Sequence, residues 1–209
     1  MTAISRGCLV AFEGVDGSGK TTQAQLLAGS LGAVLTFEPG ATELGGALRH
    51  LLLDPRRPSP VPRAEVLLMA ADRAQHVDEV VLPALQSGRW VVTDRFSGST
   101  LAYQGWGRGL PAEPLRQVVS WAAAGLEPDL TVLVDVPLEV ARQRLGAAAR
   151  DRLEGLDADF HDRVRHGFVA MARADEAHWV VVDGTLPVAT LAVEVEALVR
   201  TRLGSPAPS

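Results

Sequence analysis

Gly14-Val15-Asp16-Gly17-Ser18-Gly19-Lys20-Thr21 follows the apolar run Cys8-Leu9-Val10-Ala11-Phe12 and precedes a segment with helical periodicity. The octapeptide fits the pattern G-x-x-x-x-G-K-[ST], in which small glycines let backbone N–H groups converge on phosphate oxygens. A helix that begins at Lys20 adds the positive end of its dipole to the same spot. We therefore expect a phosphate-binding loop, or P-loop, rather than a glycine turn that leaves the lysine exposed.

The chemistry of this loop assigns two side chains. Lys20 should reach the β and γ phosphates of a nucleotide, and the Thr21 hydroxyl should ligate Mg²⁺. The remaining expected nucleotide contacts come from the loop and its flank, namely Gly14, Val15, Asp16, Gly17, Ser18, Gly19 and Thr22. Because kinases, GTPases, motor ATPases and switch proteins all share this loop, the reaction has to be inferred from other residues.

Short apolar runs alternate with helical patterns along the rest of the chain. Strands are predicted at 8–12, 33–37, 90–93, 130–136 and 179–182, and helices at 20–31, 42–53, 63–86, 97–104, 112–124, 137–148, 158–176 and 187–203. Alternation of this kind favours right-handed crossovers and a mainly parallel sheet. The prediction is an α/β P-loop NTPase fold with five strands and helices on both faces, as one domain over 1–204 followed by a disordered tail at 205–209.

Composition excludes several functional classes. A net charge of -5 offers no overall positive field for nucleic acid or an anionic membrane. No apolar run reaches the roughly 20 residues that a membrane helix needs, and the start of the chain lacks the layout of a signal peptide. The five histidines have no paired ligand spacing, so we expect no structural metal. The one cysteine, Cys8, is expected to be a buried structural thiol, and it fits a reducing cytoplasm.

Asp94-Arg95 follows the third predicted strand. A carboxylate at that position is where a P-loop enzyme needs one near Mg²⁺, although Asp94 could simply cap the strand end. Arg95 can fork onto a phosphate with two parallel hydrogen bonds, and its structural alternative is a surface ion pair. We expect the pair to serve the phosphoryl group that passes between donor and acceptor.

Seven segments together resemble the thymidylate (dTMP) kinases, in that family's order from residue 12 to about 166. They are Phe12-Glu13-Gly14-Val15-Asp16-Gly17-Ser18-Gly19-Lys20-Thr21-Thr22-Gln23, Glu38-Pro39-Gly40, Leu51-Leu52-Leu53-Asp54, Ala71-Asp72-Arg73-Ala74-Gln75-His76, Asp94-Arg95-Phe96, Ala102-Tyr103-Gln104-Gly105 and Asp151-Arg152-Leu153-Glu154. The resemblance implies transfer of the ATP γ-phosphoryl group to dTMP, giving dTDP and ADP in dTTP synthesis. It also implies ATP and Mg²⁺ as ligands and a homodimer.

The same resemblance implies an acceptor site. Asp16 would meet the sugar 3′-hydroxyl, Tyr103 would pack where a 2′-hydroxyl would stand, and Arg73 would point at a thymine carbonyl. Structural alternatives are a core aromatic for Tyr103 and an ordinary ion pair for Arg73. The other implied acceptor contacts are Glu38, Pro39, Met69, Arg95, Ser99 and Gln104.

A lid at about 147–157 is also implied. The variable P-loop positions 15–18 carry no basic residue, so the cation that stabilises the transition state must come from elsewhere, and Arg150 and Arg152 would supply it. An ordinary solvated charge run is the alternative. Arg142 and Arg144, on the preceding helix, could flank the adenine or its phosphates. The catalytic set is thus Lys20, Arg95, Arg150 and Arg152.

Two positions depart from the family pattern. Phe37 stands where the family commonly has an arginine on the acceptor phosphate, and Met69 stands where it usually has a phenylalanine stacked on thymine. These departures keep a second hypothesis open, a kinase of another, modified deoxypyrimidine monophosphate. A third, a non-catalytic P-loop switch module, predicts a guanine-reading Asn-Lys-x-Asp segment, which the sequence does not contain.

Overall fold

The computed structural model describes residues 6–146 and 151–206. Its centre is a sheet of five strands, β1 to β5, which span Leu9–Glu13, Val34–Phe37, Val91–Asp94, Leu130–Asp135 and Trp179–Asp183. All neighbouring strands are parallel, in the order β2-β3-β1-β4-β5. The predicted α/β class and five-stranded parallel sheet are confirmed, and every strand lies within about two residues of its predicted bounds.

Helices connect the strands. They are α1 Lys20–Leu31, α2 Glu43–Leu53, α3 Pro62–His76, α4 Leu82–Gln86, α5 Ser97–Thr100, α6 Ala112–Ala122, α7 Leu138–Leu145, α8 Ala158–Ala174 and α9 Val188–Leu203. A π-helical turn at Val77–Val81 joins α3 to α4, so the predicted helix at 63–86 is continuous. The wider turn precedes Pro83, which lacks the N–H that an α-helix would use at that point.

The prediction that Gly105 ends a helix is wrong. Helical turns continue from α5 through a π-helical segment, Leu101–Gly107. Its glycines serve packing rather than termination, because a Cβ on Gly107 would lie 2.5 Å from the ring of Phe160 in α8. This close approach holds the segment that carries Tyr103 and Gln104 against α8.

Both faces of the sheet are covered. On one face Val10 and Phe12 pack with residues of α1 and α9, and on the other Leu9 and Ala11 pack with Phe96 and the helical segment around Val81. β1 is therefore buried along its whole length, as a central parallel strand should be. Cys8 lies just before β1 and is half-buried, so the expectation of a fully buried thiol is wrong.

Some predictions fall outside what the structure describes. Arg150, the first part of the predicted lid at 147–150 and the tail at 207–209 lie outside the described residues. One domain over 1–204 stays a prediction. In the described part of the chain no helix is long and apolar enough to span a bilayer.

Candidate active site

The P-loop links β1 to α1 in the predicted way. Gly14, Gly17 and Gly19 have φ of 143°, 82° and 96°, which L side chains rarely adopt. A Cβ on Gly14 would also lie 2.6 Å from the carbonyl oxygen of Val134, so the loop needs glycine there for space as well. α1 begins at Lys20 without a side-chain cap, which leaves its first N–H groups available to a phosphate.

Lys20, Thr21 and Asp94 lie together at the end of this loop. Lys20 is 6% exposed, and its Nζ lies 3.2 Å from Asp16 Oδ1. The Thr21 hydroxyl donates to Asp94 Oδ2, while Asp94 Oδ1 is buried and has no hydrogen-bond partner among the described residues. A buried carboxylate oxygen with free acceptor capacity beside a threonine hydroxyl is a suitable donor pair for a hard cation. The residues predicted to hold Mg²⁺ are thus brought together.

Asp16 connects three predicted site residues. It accepts from Arg95 Nη2 at 2.5 Å and from the Tyr103 hydroxyl at 2.8 Å, and it faces Lys20. Burial alone would raise the pKa of Asp16, but the charges of Arg95 and Lys20, helped by the two hydrogen bonds, hold it well below its ordinary value. An ionised Asp16 is a pure acceptor, so it can accept a hydrogen bond from a sugar hydroxyl.

Arg95 is held in a strained conformation. Its φ of 73° is unusual for a residue with a side chain. Nη1 donates to the Gly14 carbonyl at 3.2 Å and to Ser99 Oγ at 2.8 Å, and the guanidinium lies 5.2 Å from the centre of the Tyr103 ring. These contacts fix the guanidinium beside the P-loop, so the surface ion pair considered above is not what the structure shows.

Glu13 anchors the backbone that follows Arg95. Its carboxyl accepts from the backbone N–H groups of Phe96 at 3.0 Å and Ser99 at 2.9 Å, and from Ser99 Oγ at 2.5 Å. Complete burial raises the pKa of Glu13 to about 7, against the opposing pull of Arg95 and these hydrogen bonds. Sequence analysis gave Glu13 no role, because a carboxyl inside an apolar strand carries no signal of its partners.

Replacing Glu13 with glutamine is expected to remove a pH dependence of stability. The folded state holds the Glu13 proton more tightly than the unfolded state does, so the free energy of unfolding falls as pH rises from about 4.5 to about 7. The fall amounts to about 3 kcal/mol for this group. In Glu13→Gln the amide stays neutral, so the wild type should lose stability relative to the variant across that range. Urea unfolding of both proteins from pH 4.5 to 8 measures the difference, and a difference that does not vary with pH would contradict this reading.

The predicted acceptor residues share one cleft. It lies beside the P-loop between α3, the π-helical segment at Leu101–Gly107 and the turn at 151–156. All nine predicted contacts line it, namely Asp16, Glu38, Pro39, Met69, Arg73, Arg95, Ser99, Tyr103 and Gln104. The sequence positions of these residues span nearly 90 places, so the fold alone assembles them.

Arg73 is both paired and directed at the cleft. Its Nη2 donates to Glu38 Oε2 at 2.8 Å, to the Phe96 carbonyl at 3.1 Å and to Thr100 Oγ1 at 3.1 Å. The other oxygen of Glu38 lies 2.9 Å from His76 Nδ1, so Glu38 is held from two sides. Arg73 Nη1 is buried and lacks a partner within the described ranges, which leaves one donor for a ligand.

Three other charged residues at or next to this cleft have no role predicted from the sequence. Arg49 on α2 lines it and donates to the Pro39 carbonyl at 2.7 Å. Asp72 accepts from the Gly40 N–H at 2.9 Å, and burial beside Glu38 raises its pKa to about 6. Glu65 is fully buried next to Gln104. Helical periodicity could place Arg49 and Glu65 on one side of their helices, but nothing in the sequence identifies what they face.

A second cleft opens on the donor side of the P-loop. Val15, Asp16, Leu138, Arg142 and His161 line it, together with further apolar residues of α7. Arg144 Nη1 donates to the Ser18 carbonyl at 3.1 Å, directly over the loop, and Thr22 lies exposed in the first turn of α1. Arg142 and Arg144 therefore lie on the donor side of the P-loop, and their contacts with the adenine or its phosphates stay predictions.

Of the two predicted lid arginines, the structure describes Arg152. Arg152 points toward Glu65, with its Nη2 at 3.7 Å from Oε2, and its backbone N–H donates to the Leu53 carbonyl at 3.0 Å. Its neighbours Leu153 and Glu154 line the acceptor cleft. The catalytic roles of Arg150 and Arg152 stay predictions.

Comparison with known proteins decides the family. A sequence model described as thymidylate kinase matches residues 12–195. The chain belongs to the thymidylate kinase family. The predicted family, fold class and thymidylate kinase activity are confirmed, and membership implies ATP as the nucleotide and a small-molecule acceptor.

Individual thymidylate kinases cover nearly the whole chain. That of Carboxydothermus hydrogenoformans is 50% identical over 185 residues, which are 86% of this chain and 90% of the relative. That of Synechococcus sp. (strain CC9311) is 46% identical over 94% of this chain and 97% of the relative. The crystal structure of thymidylate kinase from Ehrlichia chaffeensis matches with a TM-score of 0.78 and 30% identity, covering 93% of this chain and 99% of that chain.

Proposed function

We propose that the chain transfers the ATP γ-phosphoryl group to the 5′-phosphate of dTMP, with the donor in the cleft beside α7 and the acceptor in the cleft beside α3. One observation carries this assignment: Asp16 lines both clefts and touches Lys20, Arg95 and Tyr103. The two ligands would meet at that point. Because phosphoryl transfer depends on positioning and charge neutralisation, no strong general base is needed.

On the donor side, Lys20 and the N–H groups of the P-loop would bind the β and γ phosphates. Thr21 and Asp94 would hold Mg²⁺, since Asp94 keeps a buried oxygen without a partner in the described chain. When bound, the ion neutralises charge that develops on the phosphate oxygens. Arg144 lies over Ser18 and adds positive charge to the same edge.

On the acceptor side, the free Nη1 of Arg73 would donate to a carbonyl of thymine, and Met69 would pack on the base. Met69 in place of an aromatic weakens stacking, because a sulfur contact with a ring contributes about 0.3–1.5 kcal/mol against about 1–3 for stacking. The Tyr103 ring, held between Phe160 and Phe168 at centroid distances of 6.1 and 6.2 Å, is too rigidly packed to yield to a 2′-hydroxyl. This supports a deoxyribonucleotide.

Two arginines are available to the acceptor phosphate in place of the missing one at position 37. Arg95 lies beside the P-loop, and Arg49 lines the same cleft and donates to the Pro39 carbonyl. A Cβ on Gly40 would lie 2.9 Å from Arg49 Cδ and 3.4 Å from Phe37 Cε2, so Phe37 and Arg49 are neighbours. Phe37 pairs with Asp94 in the sheet, next to Arg95.

Replacing Phe37 with arginine is expected to lower KM for dTMP about tenfold with little change in kcat. A charge-assisted hydrogen bond contributes about 1.5–3 kcal/mol, and the new guanidinium would lie near the acceptor phosphate. Phe37 is 44% exposed, so the change leaves no cavity. Phe37→Leu is the matched control and should keep the wild-type KM. Steady-state kinetics at saturating ATP measure both, and an unchanged or higher KM in Phe37→Arg would refute this placement of the phosphate.

Product analysis tests the transfer itself. With ATP labelled at the γ-phosphate, dTMP should yield labelled dTDP, and the label should appear only when dTMP is supplied. Release of labelled inorganic phosphate without dTDP would show a nucleotide hydrolase and overturn the proposal.

A second copy of the chain is the assembly that we propose. Leu67 on α3 is 60% exposed and lines an apolar groove together with Val66, Leu110 and Val118 among others, and Trp121, on the same helix α6 as Val118, is 85% exposed. Exposed apolar patches of this kind favour a protein interface. Sedimentation velocity should give a dimer that Trp121→Glu converts to monomer, and a monomeric wild type would exclude it.

The single cysteine, which cannot form an internal disulfide, supports a reducing compartment such as the cytoplasm.

A further inference from the structure

Glu65 is a charged residue that the proposed mechanism does not use. It lies on α3 with no solvent exposure. Its Oε1 accepts from Gln104 Nε2 at 2.8 Å and, at the longer distance of 3.4 Å, from Arg108 Nε, while its Oε2 faces Arg108 Nη2 at 3.0 Å and Arg152 Nη2 at 3.7 Å. A buried carboxylate with this many donors can fix the orientation of the side chains that donate to it.

The contact fixes the polarity of the Gln104 amide. A carboxylate can only accept hydrogen bonds, so the amide nitrogen of Gln104 must face Glu65 and its oxygen must face away. Gln104 lines the acceptor cleft, where that oxygen is left as an acceptor. Arg73, which lines the same cleft, contributes the free donor Nη1.

The cleft therefore presents one acceptor and one donor to a base. Thymine and uracil carry a donor at N3 and an acceptor at O4, which match this pair. Cytosine carries an acceptor at N3 and a donor at its 4-amino group, which oppose it. An acceptor site that leaves buried polar groups unpaired discriminates strongly against the mismatched ligand.

We propose that Glu65 is a positioning residue that fixes the amide polarity of Gln104 and thereby makes the acceptor cleft select thymine over cytosine. The inference rests on the proposed function, since it assumes that the base lies between Arg73 and Gln104.

Glu65→Gln is the direct test. The new amide should direct its oxygen at Arg108 Nη2 and Arg152 Nη2, because the Oε2 position faces two cations and the nearer Arg108 contact, while the Oε1 position faces only Arg108 Nε at 3.4 Å. Its nitrogen then takes the place of Oε1 and donates to Gln104, which turns the Gln104 amide over. The preference for dTMP over dCMP, as a ratio of dissociation constants from titration calorimetry, should fall at least about tenfold.

Two ratios of dissociation constants, dTMP to dCMP and dTMP to dUMP, distinguish a change in base selection from a general loss of folded protein. Each ratio compares ligands on one protein preparation, so a loss of folded protein cancels. The preference for dTMP over dUMP should not change in Glu65→Gln, because both bases offer the same N3–H and O4. An unchanged dTMP to dCMP ratio, or a dUMP ratio that falls in parallel, would overturn the proposal.

A second pair of variants shows whether Glu65 acts through Gln104. In a Gln104→Leu background, Glu65→Gln should have no further effect on the dTMP to dCMP ratio. The double variant Glu65→Gln, Gln104→Glu keeps the buried charge and offers only acceptor oxygens, so it should restore the preference for dTMP even if Glu65→Gln alone does not fold. Failure of either expectation rejects the positioning role. A wild type that binds dCMP as well as dTMP would instead refute the proposed function.

Discussion

Replacing Lys20 with methionine is expected to lower kcat by roughly a hundredfold to a thousandfold, the range seen when one preorganised donor to developing charge is lost. Lys20 is nearly fully buried at the start of α1, within reach of any phosphate that the P-loop holds. Methionine keeps most of the volume and removes the charge. KM for dTMP should change much less, because Lys20 lies on the donor side.

The chain offers an unusually selective way to follow this residue, because Lys20 is the only lysine in its sequence. Protein labelled with ¹⁵N-lysine should give a single ammonium signal, which should shift when ATP binds. Arg6→Met is the matched control, since it removes one cation from an exposed pair with Asp129. A kcat within threefold of the wild type in Lys20→Met, with unchanged thermal stability, would refute the donor-side role.

Replacing Arg95 with alanine is expected to lower kcat/KM for dTMP by at least about a hundredfold. Two charge-assisted hydrogen bonds to the transferred or accepting phosphate contribute about 3 kcal/mol or more. The substitution also frees Asp16 from its shortest contact with a guanidinium and removes the cation that lies over Tyr103. Both the acceptor phosphate and the sugar would then lose their fixed partners.

A control for Arg95→Ala has to remove a comparable ion pair elsewhere. Arg165 forms two hydrogen bonds to Asp135, at 2.7 and 2.8 Å, and lines neither of the two clefts. Arg165→Ala should keep kcat/KM within about twofold. Steady-state kinetics and thermal melts of both variants measure the contrast. Equal losses in the two variants would mean that Arg95 acts only through stability.

Much of the fold could be predicted because its signals are local. A central parallel strand is apolar on both faces, and the apolar run directly before the P-loop predicts β1 in this way. The glycines at 14, 17 and 19 predict a loop of unusual φ, which the structure has. The segment around Gly105 could not be predicted in the same way. Gly107 in this segment is required by its close approach to Phe160 in α8, some 50 residues further along the chain.

The residues of the acceptor site could be predicted from the sequence, but the contacts that hold them in place could not. The quoted motifs contain seven of the nine predicted residues that line the cleft, and the family resemblance added Met69 and Ser99. Glu13, Arg49 and Glu65 act on these residues from other elements, and only the folded chain brings them there. Arg152 faces Glu65, and the basic sequence pattern at 150–152 does not predict that contact.

The most direct measurement is the rate of ADP release with ATP and a panel of acceptors, dTMP, dUMP and dGMP. The thymidylate kinase assignment predicts the highest kcat/KM for dTMP, in spite of Phe37 and Met69. A higher kcat/KM for dUMP or dGMP would contradict the account.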